Sequence, residues 1–202
     1  LAAMHEEYGQ GGLRQSSFVK GQETLPDRIQ KFAEPNAVAY AFLKEYVRVT
    51  KNRDYTDTMD EILNWVRTVM WDKNAGLILN AEGQSGFSAD AQTRWLTVLG
   101  PEQFMRTFGM VKPDGSLDYE TFAGYLARVE NTFKVTVTRG VQTVTLLDLA
   151  DEQIAATRRP GDVLRIGFPE VTAEYVGVLK EAKDILRKAS RIDLVAHVQT
   201  SL

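Results

Sequence analysis

Residues 35–70, PNAVAYAFLKEYVRVTKNRDYTDTMDEILNWVRTVM, decide the fold class. Behind Pro35 and Asn36, the residues Ala39, Phe42, Leu43, Tyr46 and Val49 recur at three- and four-residue steps, the spacing that gathers side chains on one face of an α-helix. The polar run Asn52-Arg53-Asp54 then predicts a turn. Thr56 or Asp57 is the expected N-cap of a second helix, with Asp57, Asp60 and Glu61 suited to its positive end. Met59, Ile62, Leu63, Val66, Val69 and Met70 form the second apolar stripe. Two amphipathic helices joined by so short a loop bury their stripes most simply by folding back, so the segment predicts an antiparallel α-hairpin.

The same pattern continues outward. The glycine-containing connection 72–87 holds Leu77-Ile78-Leu79 as a brief strand, and Ser88 reads as a cap for a helix with Ala91, Trp95, Val98 and Leu99 on its inner face. Gly100 ends that helix and Pro101 suits the first turn of the next, which carries Phe104, Met105 and Phe108 and closes at Gly109. Lys112-Pro113-Asp114-Gly115 predicts a β-turn, followed by a helix with Asp118 at its start and Tyr119, Phe122, Ala123, Leu126 and Val129 along its stripe. From Phe133 the period drops to two, and Phe133, Val135 and Val137 alternate with polar residues before the β-branched run 141–147, which predicts a β-hairpin. A short helix over 149–158 and a third strand over 163–166 are expected next. A long helix starts near Thr172 with Tyr175, Leu179, Ala182, Ile185, Leu186 and Ala189 on one side.

The organisation that follows is an irregular glycine-rich entry segment (1–34), a helical hairpin region (35–132), a small β-rich element (133–168) and a C-terminal long helix (169–202) packed with the helical region as one domain. The fold class is mainly α, with stacked antiparallel α-hairpins and a small β-hairpin element.

Composition excludes several function classes. With 27 acidic and 24 basic residues the formal charge is -3, which provides no overall positive field for a phosphate backbone, so no nucleic-acid partner is expected. The absence of cysteine removes thiolate nucleophiles, disulfides and CxxC redox pairs. No apolar run approaches the ~20 residues of a membrane span and no signal-peptide order opens the chain, so a soluble, cytoplasmic domain without a membrane partner is expected.

The motifs that carry chemistry are thin. His5 and His197 lie near opposite ends with no second histidine at ligand spacing, and each reads as an ordinary structural or surface residue. Asp72-Lys73-Asn74-Ala75-Gly76 opens like a calcium loop, but its glycine comes one residue early and Gly83 stands where the bidentate glutamate is needed, so a polar turn is the better reading. The acids Asp54, Asp57, Asp60 and Glu61 are explained by the helix macrodipole. Trp65 and Trp95 belong to apolar stripes and predict core packing, whereas Trp71 at a helix end is the tryptophan best placed to stack on a ligand. No GxGxxG, GxxxxGK[ST] or GxSxG occurs, and no metal or cofactor is implied.

Gly11-Gly12, Leu25-Pro26, Ile29-Gln30-Lys31-Phe32 leading into Asn36-Ala37, Gly86-Phe87, Leu99-Gly100-Pro101-Glu102, Phe108-Gly109 and the stretch from Leu179 to Val198 follow one another in an order that resembles the helical part of the YyaL-like, spermatogenesis-associated thioredoxin-domain proteins. The resemblance implies an α/α toroid similar to the six-hairpin glycosidases and sugar epimerases. It also implies a thioredoxin-like domain preceding Leu1 in a longer chain. The chain departs from the family where the polar cavity is expected. Leu13-Arg14-Gln15 stands in place of a histidine after the glycine pair, Asp27 or Arg28 replaces the histidine after Pro26, and the acid before Asn36 is shifted to Glu34.

The leading expectation is therefore a non-catalytic helical interaction or scaffold domain of a thioredoxin-linked toroid protein. The alternative is a carbohydrate-acting, epimerase- or glycosidase-like, or sugar-binding toroid domain. Its catalytic candidates are Asp27 and Glu34, and its ligand-binding candidates are Arg14, Lys31, Asn36 and Trp71. A full toroid of six hairpins needs about twelve helices of ~11 to 12 residues plus loops, more than 202 residues supply, so the chain reads as a fragment or shortened relative. Such a ring exposes an apolar flank that favours a homo-oligomer, with Tyr175, Leu179, Ile185 and Leu186 expected in that flank or in the core directly behind it.

Overall fold

The computed structural model describes residues 11–13, 31–139, 141–148, 169–191 and 193–195. Helix α1 spans Ala33–Thr50 and α2 spans Thr56–Trp65, the latter running directly into a π-helical turn at Val66–Met70. The short strands β1 (Trp71–Asp72) and β2 (Leu77–Ile78) pair antiparallel. Then come α3 (Ala89–Leu99), α4 (Pro101–Thr107), α5 (Tyr119–Phe133), the antiparallel ribbon of β3 (Lys134–Arg139) and β4 (Gln142–Leu147), and α6 (Pro169–Lys188). The chain is mainly helical with two small antiparallel sheets.

The α1–α2 pair forms as the periodicity predicts, with corrections at both helix starts. Helix α1 begins at Ala33, ahead of the expected start, because Pro35 falls in the first turn, where a backbone N–H has no intrahelical acceptor and its loss costs nothing. The entry segment therefore ends before 34. Tyr55, and neither Thr56 nor Asp57, occupies the cap position of α2, without a side-chain capping bond. The stripe expected to run as one helix to Met70 changes to π geometry after Trp65, keeping both Val66 and Met70 in the core.

Other local readings match the structure closely. The Ser88 side chain accepts from Ala91 N–H, Pro101 opens α4, and Asp118 accepts from Thr121 N–H at the start of α5. Gly115, at φ +81°, closes the predicted turn by donating its N–H to Lys112 O at 2.9 Å. Asp72 Oδ1 accepts from Asn74 N–H at 2.8 Å and Ala75 N–H at 3.0 Å, so the calcium-loop look-alike uses its carboxylate to close its own turn. The expected helix over 149–158 and strand over 163–166 lie outside the described residues.

One hydrophobic core joins these elements. Trp65, Trp95, Phe104, Phe122, Tyr125, Phe133 and Tyr175 are all buried, and Trp71, Phe104, Phe108, Phe122 and Tyr125 form an aromatic cluster in which Trp71 and Phe108 lie 4.6 Å apart. Helix α3 is central, packing against α1, α4 and α6. Tyr175 donates to Leu126 O at 2.8 Å and Leu147 N–H donates to Thr172 Oγ1 at 2.9 Å, tying α6 to α5 and β4. Tyr175, Leu179 and Leu186 are core residues with Ile185 packed against them, so the flank of α6 is occupied.

A buried side chain seats the β1–β2 pair. Gln92 is 1% exposed, accepts from Ile78 N–H at 2.9 Å and donates to Ile78 O at 2.6 Å, standing in for a third strand. Without it the two-residue strand would carry unsatisfied backbone groups into the core.

Candidate functional site

Two polar assemblies surround the start of α1. The first holds Gly11–Leu13 against the helical hairpin. Asn36, buried, accepts from Leu13 N–H and donates to Leu13 O and Phe32 O, both at 2.8 Å. Lys31, 4% exposed, donates from Nζ to Gly11 O at 2.8 Å and lies 3.6 Å from Glu82 Oε2, which also accepts from Trp65 Nε1 at 3.1 Å. The glycine pair is required by space and conformation together. Gly12 has φ +78°, and a Cβ there would come within 2.5 Å of the Trp65 indole.

The sequence places Lys31 and Asn36 among ligand-binding candidates, and the structure brings them together. Their polar atoms are engaged with the backbone of Gly11–Leu13, so both act as clamps on the entry segment.

The second assembly gathers Glu34 from the first turn of α1, Asp90 and Arg94 from α3, and Glu174 from α6. Arg94 Nη1 lies 3.1 Å from Glu174 Oε1, and its Nε lies 3.6 Å from Glu34 Oε1, beyond hydrogen-bond length. Asp90 is pushed up from 3.8 to about 6, mainly by burial, then by the charges of Glu34 and Glu174, with Arg94 opposing. Two carboxylates thus flank one guanidinium where three helices meet, with Asp90 close enough to feel the charges of all three. Chemically, the group offers a carboxyl pushed up to about 6 beside Glu34 and an ion-paired Glu174.

The sign of the Asp90 effect on stability follows from linkage. A carboxyl whose folded-state pKa is raised stabilises the fold when protonated, so its contribution falls as pH rises through the window from about 4 to about 6. The upper bound is about 3 kcal/mol, and solvent screening of a half-buried group reduces it to about 1–2 kcal/mol. Asp90→Asn is expected to flatten the stability profile across this window and to raise stability at pH 7, measured by urea unfolding at several pH values. Asp114 and Asp118, held low by hydrogen bonds from Ser116 and Thr121, act in the opposite sense and at more acid pH. A profile of Asp90→Asn that parallels the wild type would remove Asp90 from the account.

The remaining candidates are placed as follows. Trp71 is half-buried with its ring against Phe108 and 6.1 Å from Tyr125, and Trp65 and Trp95 are fully buried, Trp95 donating to Ala33 O at 2.9 Å. Asp54, Asp57, Asp60 and Glu61 are exposed along the start of α2, and Asp60 lines a shallow cavity of about 150 Å³ with Leu63, Asn64, Arg67 and Thr107. Among the described residues no group of three or more His, Asp or Glu side chains is arranged to hold a metal ion. No helix among them is long and apolar enough to cross a membrane. Arg14, Asp27, His5 and His197 lie outside the described residues.

Sequence reasoning passed over Glu82, Asp90, Gln92, Arg94 and Glu174. Gln92 carried a readable signal, since it occupies an inward position of the α3 stripe between Ser88 and Leu96. Asp90 carried none, because an acid in a first turn is fully explained by the macrodipole. Comparison with protein-family models, curated proteins and solved structures finds no match for this chain.

Proposed function

We infer that the chain is a non-catalytic helical interaction or scaffold domain, part of an α/α toroid and joined to a thioredoxin-like module in a longer cytoplasmic protein. The observation that carries this reading is the outward face of α1, where Val38, Phe42 and Val49 stand 47%, 60% and 62% exposed on one helix face. An amphipathic helix rarely spends three large apolar residues on solvent, and a contiguous exposed stripe marks a contact surface. The engagement of Lys31 and Asn36 by the entry backbone supports the same reading, because it takes two ligand-binding candidates out of play.

A second reading, a carbohydrate-acting or sugar-binding toroid domain, is favoured by one observation. Glu34, the shifted acid of the resemblance, meets Asp90 and Glu174 around Arg94, and a carboxyl pushed up to about 6 beside two further carboxyl groups is the equipment of general acid and base chemistry on glycosidic bonds. A screen of mono- and disaccharides for turnover and for binding decides between the two. The scaffold reading expects neither with any sugar. Turnover that Asp90→Asn and Glu34→Gln both abolish, with the fold intact, would replace it by the second.

A further inference from the structure

The ridge on α1 is continuous and already ordered. The Phe42 and Tyr46 rings stack at 6.4 Å, and Tyr46 meets Tyr55 edge-on at 5.6 Å, so Val38, Phe42, Tyr46, Val49 and Tyr55 form one strip whose aromatic part needs little ordering on contact. Glu45 and Arg48 run along one flank, with side chains 60% and 68% exposed and hydrogen-bonded to each other.

We propose that this ridge docks on the same ridge of a second copy of the chain, α1 against α1 in antiparallel sense, about a two-fold axis passing between residues 46 and 47. A two-fold axis relating antiparallel helices puts the same flank of both on the same side of the contact. With the axis there, Glu45 of each copy stands level with Arg48 of the other, and two symmetric ion pairs close one edge of the interface. Phe42 falls within two residues' rise, about 3 Å, of Val49 of the partner subunit. Val38 points toward the Tyr55 end of the partner ridge. A parallel arrangement sets Glu45 level with Glu45 and Arg48 level with Arg48, and loses the match. The Glu45–Arg48 pair is thus matched by its own counterpart in the antiparallel orientation and not in the parallel one, and this charge complementarity favours a second copy as the occupant of this face.

The ridge offers a few hundred Å² of apolar surface, below the ~800 Å² per partner of a standard interface. The dimer is therefore weak and reversible, with a dissociation constant on the order of 100 µM. This inference rests on the interaction-domain reading above.

Sedimentation of the full chain over a series from about 10 µM to about 1 mM tests it. The wild type passes from monomer to dimer within that range. Phe42→Asp weakens association about tenfold or more while leaving the helical circular-dichroism spectrum unchanged, since Phe42 is 60% exposed and no core contact is lost. Glu45→Arg alone brings like charges level and weakens association by a similar factor, and the double exchange Glu45→Arg with Arg48→Glu restores it. A chain that stays monomeric throughout overturns the pairing, as does a dimer indifferent to Phe42→Asp or a double exchange no better than the single one. Sugar turnover by the same sample overturns the interaction-domain reading itself, and because it is an independent measurement the two failures are told apart.

Discussion

Replacing Gln92 by leucine is expected to destabilise the fold by about 3–5 kcal/mol, although leucine is more apolar and similar in length. Gln92 is fully enclosed and meets both backbone groups of Ile78, while its Nε2 also reaches Ser88 O at 3.2 Å and Tyr125 OH lies 3.4 Å from its Oε1. The glutamine side chain itself contributes little net energy, because its hydrogen bonds to water are exchanged for bonds to protein. The loss comes from what it leaves behind. An N–H and a C=O of a buried strand would be stranded in the hydrophobic core, each at a cost of about 1–3 kcal/mol. Against a total stability of about 5–15 kcal/mol this is a large share. Urea unfolding measures it, with the midpoint falling at constant slope. A change below about 1 kcal/mol would mean that Ile78 finds other partners and that the β1–β2 pair is not seated by α3.

Asn36→Leu is the second large effect and differs in kind. Asn36 satisfies the N–H and C=O of Leu13 together with Phe32 O, and its removal leaves all three facing the same penalty, about 1–3 kcal/mol each while the segment stays docked. The segment Gly11–Leu13 is held by Asn36, the Lys31 bond to Gly11 O, the packing of Gly12 on Trp65 and the burial of the Leu13 side chain in the core, and because it belongs to no helix or strand it has an escape that Ile78 lacks. It can lift away and hydrate its backbone, which caps the global cost at the free energy of keeping the segment docked. The expected signature is therefore local: loss of hydrogen-exchange protection at Leu13 N–H, with protection in α3 and α5 retained. A variant in which α3 loses protection to the same degree as Leu13 would show that the segment and the core unfold as one unit. Lys31→Met should produce the same local signature more weakly, since the Asn36 bonds to Leu13 remain.

Most of the helical architecture was legible in the sequence, because helix boundaries depend on chemistry within a few residues. The serine before α3, the glycine and proline between α3 and α4, and the aspartate before α5 act through bonds to backbone groups two to four positions away, and periodicity marks which face of each helix is apolar. The same locality explains the failures. The change to π geometry after Trp65 leaves the apolar spacing of α2 almost intact, so no pattern announces it. Periodicity also marks a face as apolar without saying whether anything covers it. The stripe of α1 includes buried Leu43 and exposed Phe42 as neighbours in one count, and of the two places expected for Tyr175, Leu179, Ile185 and Leu186 on α6, an open flank or the core behind it, the structure has the core, while α1 bears exposed apolar residues.

The sites divide in the same way. By itself the sequence determined that it holds no cysteine and no phosphate-loop or serine-elbow motif, whereas the polar residues near the start of the first helix were candidates only through the resemblance. Which of those residues are consumed and which converge on others was decided by tertiary structure alone. Lys31 and Asn36 lie about 20 positions from the backbone they clamp, and Glu34 meets Asp90, Arg94 and Glu174 across as many as 140 positions. The physical reason is range. A cap or a turn is closed by groups that are always near one another along the chain, whereas the burial that raises the Asp90 carboxyl and the charges that share Arg94 exist only after three helices have packed.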